Sequence, residues 1–467
     1  MTVIIKTFTT PGGKYVYDRD TNSLLSVNDD EFAACKRVEA NEADDNDWHI
    51  LKRYTDQGYL QESRLKEIEH PATAYMPFYL ENGMSQLTMQ VTQECNLRCS
   101  YCTYGGGYAN QRTHSKKTMS LETMKKCVDF IMARSRNVDE VVLAYYGGEP
   151  LLEINKIKAC MNYVKKKYKW RTVQHTITTN GTLLKGDILK FLMDNNCNVL
   201  ISFDGPREIH DLNRVYDNGK GSFDDIMNNM NHIKKQYPEY YSKVMFITTV
   251  APNVDFACVN NFFDADDILS DNSVICNQLN PFGATDEIAY NDLYNIVAKY
   301  QTVKLILSKI DLYSMEKISK IFTTGLSVTE RTYVGLSKSI LTEKAHPSGP
   351  CLPGVMRPFV DVDGNIFPCE RVSEGSQAVQ IGHIDTGFDM AKANAIINIG
   401  RLTETECKSC WNFVNCLLCV ASCDKDGHLC GAERLKHCDS SKNGTMGTLK
   451  AICLLLENKH DFIKREV

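Results

Sequence analysis

The stretch Gln86–Gly107, QLTMQVTQECNLRCSYCTYGGG, decides how the rest of the chain is read. Its first seven residues carry the apolar and β-branched side chains of a strand. Directly after them come Cys95, Cys99 and Cys102, four and then three positions apart. A structural zinc site wants four ligands, and disulfides want an even number of thiols. Three thiols on one loop suit a metal group that keeps one coordination position open. The bland alternatives are a zinc knuckle with a distant fourth ligand, or clustered core thiols.

The strand signal recurs in VVLAYY, HTITT, NVLISF, VMFITTV and SVICNQL. Between most of these lie helical stretches such as LETMKKCVDFIMARS, INKIKACMNYVKKKY and SFDDIMNNMNHIKKQ. The alternation predicts an α/β fold, a parallel sheet or partial (β/α)6 barrel. The cysteine triad follows the first strand, GGEP the second, NGT the third and DGP the fourth. In such folds the loops at the strand C-termini form the functional mouth.

The chain has 467 residues, a net charge of −5 and no basic field that would argue for nucleic acid. No apolar run approaches a membrane span, and MTVIIKTFTT lacks the apolar region of an export signal, so a cytoplasmic protein is expected. Nineteen cysteines in such a chain point to metal or redox use rather than disulfides. Three form the triad and nine lie between Cys351 and Cys438. The other seven, Cys35, Cys127, Cys160, Cys197, Cys258, Cys276 and Cys453, are expected as core filler.

Ahead of the α/β series, KYVYDRD and SLLSV predict a hairpin about a polar turn, Asp18 to Asn22. NDDEFAACKRV reads as a helix capped by Asn28 or Asp29. DWHILKRYTDQG reads as another, with Ile50, Leu51 and Tyr54 on one face and Gly58 as its stop. EADDND reads as a solvated loop and HPATAYMPF as a linker. Residues 284 to about 340 read as helical.

On these residues the chain resembles the radical S-adenosylmethionine (SAM) enzymes. Their CxxxCxxC motif matches Cys95, Cys99 and Cys102, with the family's aromatic residue at Tyr101. The resemblance implies a [4Fe-4S] cluster on the triad whose open iron binds SAM. It also implies SAM contacts from Gly147, Gly148, Glu149 and Pro150, with Glu149 offsetting the SAM ammonium. Asn180 is implied in the SAM pocket, Ser202 at the ribose hydroxyls and Arg214 at the SAM carboxylate. Asp204 and His210 stand in the same loop.

The C-terminal region resembles the SPASM extension of one branch of these enzymes. Cys351, Gly364 and Cys369 fit its first part, and Cys407, Cys410 and Cys416 fit its C-x2-C-x5-C. Cys419 and Cys423 then depart from the branch spacing, and Cys430 and Cys438 compete for the last position. The resemblance implies two auxiliary clusters. One would take Cys351, Cys369 and Cys423. The other would take Cys407, Cys410, one of Cys416 or Cys419, and Cys438 or Cys430. Zinc on the paired cysteines of CKSC and CLLC is the competing reading.

The implied organisation is a winged-helix-like peptide-recognition domain over residues 1–75, a radical SAM partial barrel with a helical bridge over 84–340, and a SPASM domain over 341–467. The implied activity is that of a peptide maturase. A 5′-deoxyadenosyl radical attacks a ribosomally made, Cys-rich precursor peptide with a leader, and a peptide thiolate closes a thioether. The electron donor would be a flavodoxin or ferredoxin, and neither nucleic acid nor membrane is expected as partner. An anaerobic sulfatase-maturing enzyme, which makes formylglycine, is the nearest rival. A non-catalytic zinc or iron–sulfur binding protein is the rival from another class.

Overall fold

The structure, a computed structural model, describes residues 2–265, 269, 272–322, 325–337, 340–347 and 351–462. Three antiparallel strands open the chain: β1 (Ile5–Thr9), β2 (Lys14–Asp18) and β3 (Ser23–Val27), in the order β1-β2-β3. The hairpin places Asp18 opposite Ser23, as its sequence pattern predicts. The helix Asp29–Ala40 starts at Asn28, whose side chain accepts from the Glu31 N–H (3.0 Å) while Glu31 accepts from the Asn28 N–H (2.8 Å). This reciprocal cap satisfies two N–H groups that the first helical turn leaves unpaired. Val16, Leu25, Val27, Phe32, Cys35, Leu51 and Tyr54 form the core of this unit.

Several details depart from expectation. The segment DWHILKRYTDQG is two short helices, Asp45–Ile50 and Lys52–Thr55, that meet at Leu51. EADDND is exposed at Glu42, Asp44, Asp45 and Asn46 as expected, but its second half opens a helix: Asp44 and Asp47 form a second capping box, and the buried Asp47 carboxylate binds Arg37. The polar turn Asp18 to Asn22 stands where it is expected, and all of it but Thr21 is buried. Arg19 donates to the Lys408 carbonyl, Asn22 Nδ2 to the Gly335 carbonyl (2.8 Å), and Asn415 Nδ2 to the Tyr17 hydroxyl (2.9 Å). The N-terminal unit is thus packed on the C-terminal cysteine region and on the end of the helix Ser327–Gly335. The expected linker HPATAYMPF runs into a helix, Met76–Asn82, that buries Met76 and Leu80.

A two-residue strand, β4 (Glu67–Ile68), precedes the main sheet. Six parallel strands follow at the predicted places: β5 (Gln86–Thr92), β6 (Glu140–Gly147), β7 (Thr172–Thr179), β8 (Asn198–Ser202), β9 (Met245–Val250) and β10 (Val274–Gln278). Helices including Leu121–Ala133, Ile154–Lys167 and Phe223–Gln236 pack against them. The helix Asp292–Lys309 opens the helical stretch expected after residue 284.

Past β11 (Lys344–Ala345), which pairs with β4, the cysteine-rich region adds to the same sheet. Its strands β12 (Phe359–Val360), β13 (Asn365–Phe367), β14 (Gly382–His383) and β15 (Gly387–Phe388) extend the order to β10-β9-β8-β7-β6-β5-β12-β13-β14-β15. β12 pairs with β5 in parallel, Phe359 opposite Thr88. The composition changes at HPSGPC, whose residues 348–350 lie outside the described residues. Of the seven scattered cysteines, Cys35, Cys127, Cys160, Cys197 and Cys453 are buried as expected, Cys276 is partly buried, and Cys258 is exposed. Among the described residues no helix is long and apolar enough to cross a membrane.

Candidate functional site

The loops at the C-terminal ends of β5 to β8 meet in one hydrogen-bonded group. After β5, the Arg98 N–H donates to the Val215 carbonyl (2.7 Å) and the Ser100 N–H to the Asn213 carbonyl (2.9 Å). The triad loop is thus stitched to the loop after β8. On its other side, the Gly148 N–H donates to the Thr92 carbonyl and the Glu149 N–H to the Glu94 carbonyl, both 2.8 Å. Gly147 has φ +136°, and a Cβ there would stand 2.2 Å from the Thr92 carbonyl oxygen. Side chains are therefore excluded by close approach as well as by backbone conformation.

Glu149 is fully buried. Its carboxylate accepts from the Leu151 N–H (3.0 Å), the Thr179 hydroxyl (2.7 Å) and the Asn180 N–H (2.7 Å). Both oxygens are therefore spent tying the loop after β6 to the loop after β7. Burial raises its carboxyl to about 7, against the pull of those three donors. Pro150 begins a short 3-10 helix behind it. Asn180 Nδ2 donates to Asn96 Oδ1 (2.8 Å) and lies 3.9 Å from Cys95 Sγ. Asn96 and Thr182 complete this network, since Asn96 Nδ2 donates to Thr182 Oγ1 (2.9 Å).

Arg214 is buried with its Nε on Asp204 Oδ2 (2.8 Å) and its Nη1 3.9 Å from Cys99 Sγ. Tyr101 donates its hydroxyl to the same Asp204 oxygen, and the Thr249 N–H donates to the other (3.1 Å). Burial opposes the Arg214 charge, but the Asp204 carboxylate outweighs it and holds the guanidinium protonated. His210 accepts from the Asp204 N–H through Nδ1 (3.3 Å), and Nε2 faces Ser222 (2.9 Å); burial drops it to about 3, so it is neutral. Ser202 closes β8, partly buried, beside Ile247.

The triad is suited to a metal group. Burial pushes Cys95 up to about 12 and Cys99 to about 11, and raises Cys102. The thiols therefore keep their protons until a metal displaces them. Donors already face the sulfurs: the Leu97 N–H to Cys95 and the Tyr104 N–H to Cys102, both 3.4 Å, with His114 Nε2 3.8 Å from Cys102. Such donors stabilise bound thiolates, so the residues present fit an iron–sulfur group.

In the C-terminal region a cavity of about 350 Å³ is lined by Cys407, Cys410, Cys416 and Cys438, beside the buried Arg434. Four thiols around a void suit a multi-atom group. Among the described residues, no three His, Cys, Asp or Glu side chains gather tightly enough for a single metal ion. Cys419 lies in electrostatic reach of both Cys351 and Cys369. Cys423 is buried, within electrostatic reach of Cys419 and Cys416, and Cys430, off the cavity, donates its N–H to the Cys423 carbonyl (2.7 Å). The cavity lining brings Cys416 and Cys438, but neither Cys419 nor Cys430, beside Cys407 and Cys410.

Comparison with known proteins follows the same lines. The radical SAM superfamily matches residues 89–264. A cysteine-type anaerobic sulfatase-maturating enzyme of Clostridium novyi is 29% identical over 342 residues, 70% of this chain and 85% of the relative. The antilisterial bacteriocin subtilosin biosynthesis protein AlbA of Bacillus subtilis is 30% identical over 139 residues, 29% of this chain and 27% of that protein. The solved structure of native anSMEcpe with bound AdoMet superposes with a TM-score of 0.57 at 20% identity, covering 81% of this chain and all of that one.

The central part of the chain is therefore a radical SAM domain, with the [4Fe-4S] cluster and SAM that such a domain uses. The cysteine-rich C-terminal region lies beyond the residues matched to the superfamily, while the similarity to the Clostridium novyi enzyme runs over 70% of the chain.

Proposed function

We propose that this enzyme is a peptide maturase that joins a cysteine sulfur to a carbon within a ribosomally made precursor peptide. The observation that carries the reading is the N-terminal sheet and helix unit, seated on the cysteine-rich region through Arg19 and Tyr17 and on the helical stretch before it through Asn22. Both β1 and β3 are edge strands, and an edge strand can take an extended leader peptide as a further strand. The similarity to a bacteriocin biosynthesis protein supports this reading.

When bound, the triad cluster and SAM supply a 5′-deoxyadenosyl radical. The chain's own residues do the rest. Gly147 and Gly148 let the backbone approach, Glu149 fixes two loops against each other, and Arg214 presents its charge beside Cys99. The cavity cysteines Cys407, Cys410, Cys416 and Cys438 would hold one auxiliary cluster, and Cys351, Cys369 and Cys419 the ligands of another. A flavodoxin or ferredoxin would supply electrons in an anaerobic cytoplasm.

Conversion of a sulfatase cysteine or serine to formylglycine is the second reading, favoured by the similarity over 85% of the Clostridium novyi enzyme. One experiment separates the two. The reconstituted enzyme is incubated with SAM, reductant and either Cys-rich precursor peptides or a sulfatase peptide, and products are read by mass spectrometry. Thioether formation removes hydrogen and an alkylatable thiol but keeps the sulfur. Formylglycine formation from cysteine removes the sulfur, and that result on the sulfatase peptide alone would overturn the proposal.

A further inference from the structure

Two side chains bracket the triad loop, and both end on one carboxylate. Gln90, on β5 five residues before Cys95, donates through Nε2 to both oxygens of Glu374 (2.8 Å each). Arg112, ten residues after Cys102, donates through Nε to Glu374 Oε2 (3.0 Å). The ion pair is buried, with the side chains 11% and 6% exposed. Glu374 follows Cys369 by five residues, so it belongs to the cysteine-rich region rather than to the barrel.

The contact is part of a seam. The Glu374 N–H donates to Gln111 Oε1 (3.1 Å) and the Gly375 N–H to the Asn110 carbonyl (2.9 Å). A Cβ at Gly375 would stand 2.2 Å from that Asn110 oxygen, so the two backbones touch. The Arg112 guanidinium also lies over the Tyr104 ring, 3.5 Å from its centroid, and the Tyr104 N–H faces Cys102 Sγ (3.4 Å). A positive charge is thereby held one residue contact away from a triad sulfur, by a carboxylate from the other end of the chain.

We propose that Glu374 and Arg112 are positioning residues for the radical chemistry: Glu374 locks the triad loop to the segment after Cys369, and the pair sets the charge beside Cys102. This rests on the reading of the triad as a cluster site. The charge balance is close to neutral with both partners present. Removing one leaves the other uncompensated in a dry place, where its field is strong.

The test uses the full-length protein, reconstituted without oxygen, with SAM as the only added ligand. The reduction potential is read from the paramagnetic signal that changes when SAM binds. Glu374→Gln keeps an acceptor for Arg112 but removes the negative charge, so reduction becomes easier. Arg112→Gln removes the positive charge, so reduction becomes harder. Each shift is expected at roughly tenfold in the one-electron reduction constant, about 59 mV. The double variant returns towards the parent value. Shifts of the same sign, or none, with iron content unchanged overturn the inference. Variants that lose iron together and alike mean a purely structural seam and overturn it too. A parent protein with no SAM-sensitive signal sinks the cluster reading itself, a separate outcome.

Discussion

Gly148 stands so close under Glu94 that a Cβ at Gly148 would lie 2.0 Å from the Glu94 carbonyl oxygen. That oxygen already accepts the Glu149 N–H. Gly148→Ala therefore has to push apart the two loops that frame Cys95. Overpacking of this kind costs about 1–3 kcal/mol, and SAM affinity should fall with stability. Gly107→Ala is the control, because nothing lies within 4 Å of its Cβ position. Calorimetric SAM titration and thermal unfolding of both variants check this. Equal behaviour of the two would refute the close-approach argument.

Glu149 should make stability depend on pH. Its carboxyl rises to about 7 in the folded protein because burial disfavours the charge. A carboxyl raised on folding binds its proton more tightly in the native state, so it loses stability as pH climbs from the ordinary carboxylate range to about 7. Above that the loss is complete, on the order of 3 kcal/mol. The stability of the parent relative to Glu149→Gln should shrink between pH 5 and 7 and level off above. Denaturant titrations across that window read the slope directly.

Cys407, Cys410, Cys416 and Cys438 line one cavity, and iron counting checks the proposal that they share one cluster. Cys407→Ala and Cys416→Ala should each remove about four irons, and together no more than either alone. Cys407→Ala combined with Cys419→Ala should remove about eight, because the two cysteines serve different clusters. Cys430→Ala should leave the count unchanged. A Cys416 variant that behaves additively with Cys407 would break the grouping.

Asn28→Ala removes one half of a reciprocal helix cap. A loss of about 1 kcal/mol is expected. Thermal unfolding measures it, and the iron content should stay at the parent value because the cap lies in the N-terminal unit.

Much of the core was legible because the parallel strands are runs rich in β-branched and apolar residues, with alternating burial in β7, β8 and β9. All six strands from β5 to β10 lie where those runs stand. The triad and GGEP were legible for a related reason, since each motif is local. β1 was not read because Ile5–Thr9 lacks a turn signal at its start. EADDND misled because composition hides which acid caps a helix and which meets Arg37. HPATAYMPF misled because Pro77 opens a helix as readily as it ends one. The Gln90–Glu374–Arg112 crossing left no sequence trace, because its partners lie 284 and 262 residues apart. Only the folded chain brings them together.

The parallel pairing of β5 with β12 also bears on how the protein is born. β5 gains β6 as a neighbour early, but its other flank waits until Phe359 and Val360 have been made. At ~5–20 residues per second the ribosome takes roughly 10–50 s to cover that distance. For that interval a nascent chain carries an uncovered strand edge, with unpaired backbone N–H and C=O groups, next to the triad cysteines. Expression yield should therefore respond to translation speed and to chaperones that shield strand edges, and truncation before residue 359 should aggregate rather than give a smaller soluble enzyme.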